Sequence, residues 1–163
     1  MKYSAGAIVG WFVTKAFGCL VRMKSAYYAS VIKGKGYISG RCYIDYPENI
    51  YIGEGSYING GMIMASPNAK IIIGKNCLIS YDVHLRTDMH CYLRRNQFIL
   101  KQGHMEKDII IEDDVWIGYG AQIMSGVTVA KGSVIAAGAV VTHDTESYGV
   151  YGGIPARRMK YRI

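Results

Sequence analysis

Between positions 111 and 145 aliphatic residues recur every six: Ile111, Ile117, Ile123, Val129, Ile135 and Val141. Four residues after each stand Val115, Ala121, Val127, Ser133, Ala139 and Thr145, which are small or β-branched. Glycines fill many remaining slots, at Gly118, Gly120, Gly126, Gly132 and Gly138. A period of six fits neither the 3.6 of a helix nor the alternation of a half-buried strand. It fits a chain that turns a corner after each short flat face and points one aliphatic side chain inward from it. Three such faces close a coil of roughly 18 residues, and stacked coils make a parallel β-helix. The predicted class is therefore all-β, a hexapeptide solenoid.

The same beat runs more loosely through the first half of the chain. Ile38 and Ile44 carry it, with Cys42 four after the first. Tyr46-Pro47-Glu48-Asn49 then inserts two residues, and the beat resumes at Ile52, Ile58 and Met64. Ser66-Pro67-Asn68-Ala69 disturbs it again before Ile73, Ile79 and Leu85. Between Met89 and Ile109 it stops. We read residues 90–108, basic and aromatic, as one long extruded loop of the kind that carries function. Residues 146–163 leave the beat at Gly152-Gly153-Ile154-Pro155-Ala156 and are expected to close the last coil with a strand or short helix.

Residues 1–31 stand outside the pattern, so the chain divides into 1–31 and a solenoid domain, 32–163. Residues 5–13 are apolar apart from glycines, and Lys2, Lys15, Arg22 and Lys24 surround them. The run predicts a short helix, too short to span a bilayer and without a signal-peptidase site. Such a helix either caps the first coil or associates with the cytoplasmic face of the membrane.

Composition sharpens little of this. Half of the 163 residues are hydrophobic and 19% are charged, enough for one well-packed core. The net charge of +7 favours a polyanionic partner such as a nucleotide cofactor or anionic lipid; no nucleic-acid partner is expected. The four cysteines form no CxxC pair, so neither a disulfide framework nor a zinc site is expected. Cys42 and Cys77 read as reduced core residues of a cytoplasmic protein.

Val115-Trp116-Ile117-Gly118, Gly126-Val127-Thr128-Val129, Ala136-Ala137-Gly138-Ala139-Val140-Val141-Thr142 and Gly152-Gly153-Ile154-Pro155-Ala156 resemble the hexapeptide-repeat acyltransferases. The nearest likeness is to sugar O-acetyltransferases, both the maltose and galactoside enzymes and those acting on capsule or lipopolysaccharide sugars. The resemblance implies a left-handed β-helix, a homotrimer, and acetyl-CoA bound between subunits without a metal. The handedness and the trimer come from the resemblance, not from the spacing.

The resemblance also places roles. His90 falls on the family's catalytic histidine, and a neutral imidazole suits removal of a hydroxyl proton during attack on a thioester. The backbone N–H of Tyr119 falls on the oxyanion donor. Trp116, Gly118, Ala137, Thr142 and His143 are implied along the coenzyme, and Arg157, Arg158 and Lys160 at its phosphates. The acid that orients His90 is left open among Asp82, Asp88 and Glu106. His84 reads as structural, and His104 as unfixed in the loop. A γ-type carbonic anhydrase is disfavoured, because its paired metal-binding histidines are spaced differently from His84 and His90.

The implied activity is acetyl-CoA-dependent O-acetylation of a sugar hydroxyl in surface-polysaccharide assembly, at the inner face of the cell membrane. The alternatives are N-acetylation of an amino-sugar and a non-catalytic solenoid scaffold.

Overall fold

The hexad aliphatics become three vertical ladders inside a triangular column. On one face Ile52, Ile73, Ile111 and Val129 stack in register. On the second stand Ile38, Ile58, Ile79, Ile117, Ile135 and Tyr151. The third holds Ile44, Ile63, Leu85, Ile123 and Val141. Nearly all of these side chains are fully buried, and the small residues four after each hexad aliphatic fill the corners between ladders. The computed structural model describes residues 5–163, and their strands form two five-stranded parallel sheets, one seven-stranded sheet and a two-stranded ribbon. The architecture is a left-handed parallel β-helix. Lys2, expected beside the apolar N-terminal run, lies outside the described residues.

One rung differs from the expected beat. The inward residue after Ile58 is Ile63, paired with Ile44 and Leu85, whereas Met64 pairs with Asp45 and Arg86 and is only half-buried. The corner Asn59-Gly60 is one residue shorter than its neighbours. Gly61 therefore takes the place that Cys42 and Val83 hold in the coils on either side. It does so at φ +129°, and a Cβ there would stand 2.1 Å from the Val83 carbonyl oxygen. Only glycine tolerates both. Cys42 and Cys77 are buried as expected, and burial pushes the Cys42 thiol up to about 12.

The stretch expected to be a loop is a hairpin. Asp88–His90 pairs antiparallel with His104–Glu106, joining Asp88 to Glu106, Met89 to Met105 and His90 to His104. Its tip is tied internally: the Gln102 side-chain amide donates to the carbonyls of Arg94 and Gln97, and its oxygen accepts the Arg94 N–H. At the C-terminus Gly149–Gly152 and Arg157–Tyr161 form an antiparallel pair that closes the seven-stranded sheet.

The N-terminal helix is longer than its apolar run implied. It spans Ala5–Val31, 27 residues, or about 40 Å at 1.5 Å per residue. No proline interrupts it, and its last turns are held by the solenoid. The Tyr28 ring is buried and its hydroxyl donates to the Cys42 carbonyl, while the Gly40 N–H donates to Ser25 Oγ.

The corrected register makes a stability prediction. Ile63→Ala should cost about 2–5 kcal/mol in urea unfolding and Met64→Ala clearly less, since only the first opens a cavity in the inner ladder. The reverse ranking would restore Met64 to the core.

Candidate functional site

Two corners of the column carry the residues singled out above. The first is where the hairpin leaves the coil. Arg86 ends the strand Val83–Arg86 and grips Asp88 through two bonds, Nε to Oδ1 at 2.6 Å and a terminal nitrogen to Oδ2 at 3.1 Å. The Arg86 hydrogen bond holds the Asp88 carboxyl below the usual carboxylate range, and the same contact raises Arg86. Glu106, across the stem, accepts the Asn68 N–H at 2.7 Å. Arg86, Asp88, His104 and Glu106, with Asp45 and Met64, line an open concavity of about 210 Å³.

His90 lies at the end of this stem, exposed, with the His104 ring tilted against it at a centroid distance of 4.3 Å. The hairpin thus fixes His104, which the sequence left without a place. None of the three acids considered as its orienting partner bonds to His90: Asp88 is held by Arg86, Glu106 by the Asn68 amide, and Asp82 is on another corner. Asp82 precedes the strand that Arg86 ends, so within one chain about 13 Å of strand separates it from the hairpin. His84, on the outside of that strand, has a buried Nε2 without a partner, and burial lowers its pKa, with help from Arg86. Both effects disfavour the charged imidazolium at this position.

The second corner carries Tyr119 and, one coil above it, Ala137. The Tyr119 carbonyl accepts the Gly138 N–H at 2.8 Å, which fixes the peptide plane. Its own N–H has no acceptor among the described residues. Its hydroxyl pairs with Asp82, which raises the phenol. Gly118 differs from its expected role. It is buried, and a Cβ there would stand 2.7 Å from the Ala137 nitrogen, so the residue lets two coils stack and has no free face for a ligand.

Of the basic tail, only part is uncommitted. Arg158 is ion-paired with Glu146 and stacked on Tyr161, with 4.4 Å between guanidinium and ring. Arg157 and Lys160 are exposed and take part in no ion pair among the described residues. Thr142 is exposed and its hydroxyl lies 2.9 Å from His143 Nδ1, which ties that ring to its neighbour. Trp116, 53% exposed, continues an outer row of Tyr37, Tyr57 and Leu78 along one face. Among the described residues no three His, Cys, Asp or Glu side chains gather as a metal-holding group.

The Arg86–Asp88 pair sets an acid dependence. The Asp88 pKa is lower folded than unfolded, so the pair adds stability above the ordinary carboxylate range and loses it as pH falls through the folded value. Arg86→Met should flatten that loss. From about pH 5 to pH 3 the urea midpoint of the unmodified chain should fall further than that of the variant. Equal falls would mean that the contact contributes nothing in solution.

Residues 108–143 match the family described as bacterial transferase hexapeptide (six repeats). A hexapeptide-repeat acetyltransferase from Vibrio cholerae, solved in complex with acetyl coenzyme A, is 27% identical, with a TM-score of 0.75 over 99% of this chain and 92% of that one. A maltose O-acetyltransferase from Clostridium difficile is 25% identical, with a TM-score of 0.74 over 90% of this chain and 84% of its own. A galactoside acetyltransferase in complex with coenzyme A is 31% identical, with a TM-score of 0.69 over 80% of this chain and 64% of that one. With its stacked hexads and the repeat signature over residues 108–143, this chain is similar to the hexapeptide-repeat transferases.

Proposed function

We propose that the chain is an acetyl-CoA-dependent O-acetyltransferase whose acceptor is a sugar hydroxyl, with His90 as general base. The observation that carries this reading is an exposed His90 held on a paired stem, backed by His104, at the corner where the column opens. The likeness to acetyltransferases solved with acetyl-CoA or CoA supports the donor.

The chemistry asked of these residues is limited. His90 takes the acceptor proton as the hydroxyl oxygen attacks the thioester carbon. The Tyr119 N–H, free to donate, meets the oxyanion of the tetrahedral intermediate. As the C–S bond breaks, protonated His90 returns its proton to the departing thiolate. The His104 ring, packed on His90, limits its rotation. Ala137 and Thr142 offer small exposed surfaces to the pantetheine arm, with Trp116 and His143 beside it. Arg157 and Lys160 supply charge for the phosphates, and Arg158 holds the tail in place through Glu146.

Tyr119 and His90 lie on different corners of one chain, so the reading requires that a site be completed by a neighbouring subunit. The outer row Tyr37, Tyr57, Leu78 and Trp116, between 37% and 53% exposed, gives a homotrimer an apolar seam. We assign the enzyme to the cytoplasm, at the inner face of the membrane, where surface polysaccharides are assembled.

His90→Ala should lower CoA release by about 10²–10⁴-fold while the chain still gains thermal stability from added acetyl-CoA. Transfer at the unmodified rate would reject His90 as the base. The same assay over neutral sugars, amino-sugars and lipid-linked glycans identifies the acceptor, and turnover only with amines would replace O- by N-acetylation. Trp116→Glu should convert a trimer to smaller species in light scattering. An unchanged trimer would move the interface to another face.

A further inference from the structure

The N-terminal helix is one rod with two unlike parts. Its C-terminal turns are part of the fold: besides the Tyr28 and Ser25 contacts, Lys24 Nζ donates to the Cys42 carbonyl at 3.0 Å. At Gly40 the solenoid comes so close that a Cβ would stand 2.1 Å from the Val21 carbonyl oxygen. The helix also packs against Pro47–Asn49, the turn next to Tyr46 at the rim of the hairpin concavity.

The other part projects. Ile8, Val9, Phe12, Val13, Phe17 and Leu20 are 47–62% exposed. At 3.6 residues per turn they spread over about 180° of the circumference. The opposite half carries Gly10, Thr14 and Gly18 together with two cations, Lys15 and Arg22. The Lys15 amine lies 5.7 Å from the Trp11 ring centre.

We propose that this projecting part, residues 6–20, is buried in an anionic lipid bilayer and seats the solenoid on the membrane. A partner helix would cover only a narrow seam of such a face. A medium of acyl chains covers all of it. The charge fits as well: Lys15 and Arg22 flank the apolar half, and Lys24 and Arg41 stand beside Phe17 and Leu20 at its foot, on a chain of net charge +7, which suits acidic headgroups. The stretch Gly6–Val31 is long and apolar enough to cross a membrane, and its apolar window is not buried within the chain. A cleaved leader meets the same length criterion, but here the helix continues without a break into the residues that cap the first coil. This deepens the membrane-side location given above. Its test reads lipid binding and not acyl transfer, so failure of one leaves the other standing.

The full chain should float in a density gradient with mixed phosphatidylglycerol–phosphatidylcholine vesicles. Phe12→Asp with Phe17→Asp should leave it at the bottom. Lys15→Gln with Arg22→Gln should lower partition about tenfold or more, with pure phosphatidylcholine vesicles showing the same loss for the unmodified chain. All these side chains are exposed, and an unchanged circular-dichroism melt confirms that the variants fold. Four results would overturn the proposal. The unmodified chain fails to float, or the double aspartate variant floats equally well. Protein recovered from cells begins after residue 20, as a processed leader would require. Or the helix holds copies together in solution, seen as an oligomer lost in the aspartate variant without any lipid binding.

Discussion

Everything in this molecule depends on the closeness of one coil to the next. A parallel ladder holds successive rungs about 4.8 Å apart, and at certain glycines that spacing leaves no room for a Cβ. A Cβ on Gly53 would meet the Gly74 carbonyl oxygen at 2.5 Å, on Gly118 the Ala137 nitrogen at 2.7 Å, and on Gly61 the Val83 oxygen at 2.1 Å. Once the rungs are that close, the interior is filled by single aliphatic side chains and has no space for a ligand. Chemistry is therefore confined to corners and outer faces. That is where His90, Tyr119, Ala137 and the tail lie.

The column was legible because its period belongs to the backbone and repeats. Misreadings arise where the corner length changes. The Asn59-Gly60 corner omits a residue, so a count of six runs past Ile63 to Met64, although the pairing of Gly61 with Cys42 and Val83 keeps the true register. The helix was underestimated for a different reason. Its glycines and small polar residues dilute the apolar run, and its full length rests on contacts of Ser25 and Tyr28 with a segment well downstream.

The candidate site residues were named by resemblance, and their pairings were not legible. His90 and Tyr119 could be nominated through the motifs that resemble the acyltransferases. The His90–His104 contact, the grip of Arg86 on Asp88 and the neutralisation of Arg158 by Glu146 could not, since each joins side chains whose meeting depends on a hairpin or a terminal strand. No periodic signal encodes such a meeting. The hairpin stem is only three residues on each side and has no tight-turn dipeptide between its strands, so its pairing competes poorly in a sequence with the reading of a loop.

The two ends of the column have a consequence beyond the single chain. An unfinished stack of parallel strands offers its free edge to another stack, and such edges grow into fibres. Here the helix covers the entrance. At the exit the tail strand pairs with the seven-stranded sheet, Gly153 and Ala156 bond to both sides of the Val140 peptide, and Asp144 and Thr145 cap the amides of Thr128 and Ala130. The strand ends of all three faces at the exit are thereby partnered, which works against end-to-end growth into filaments.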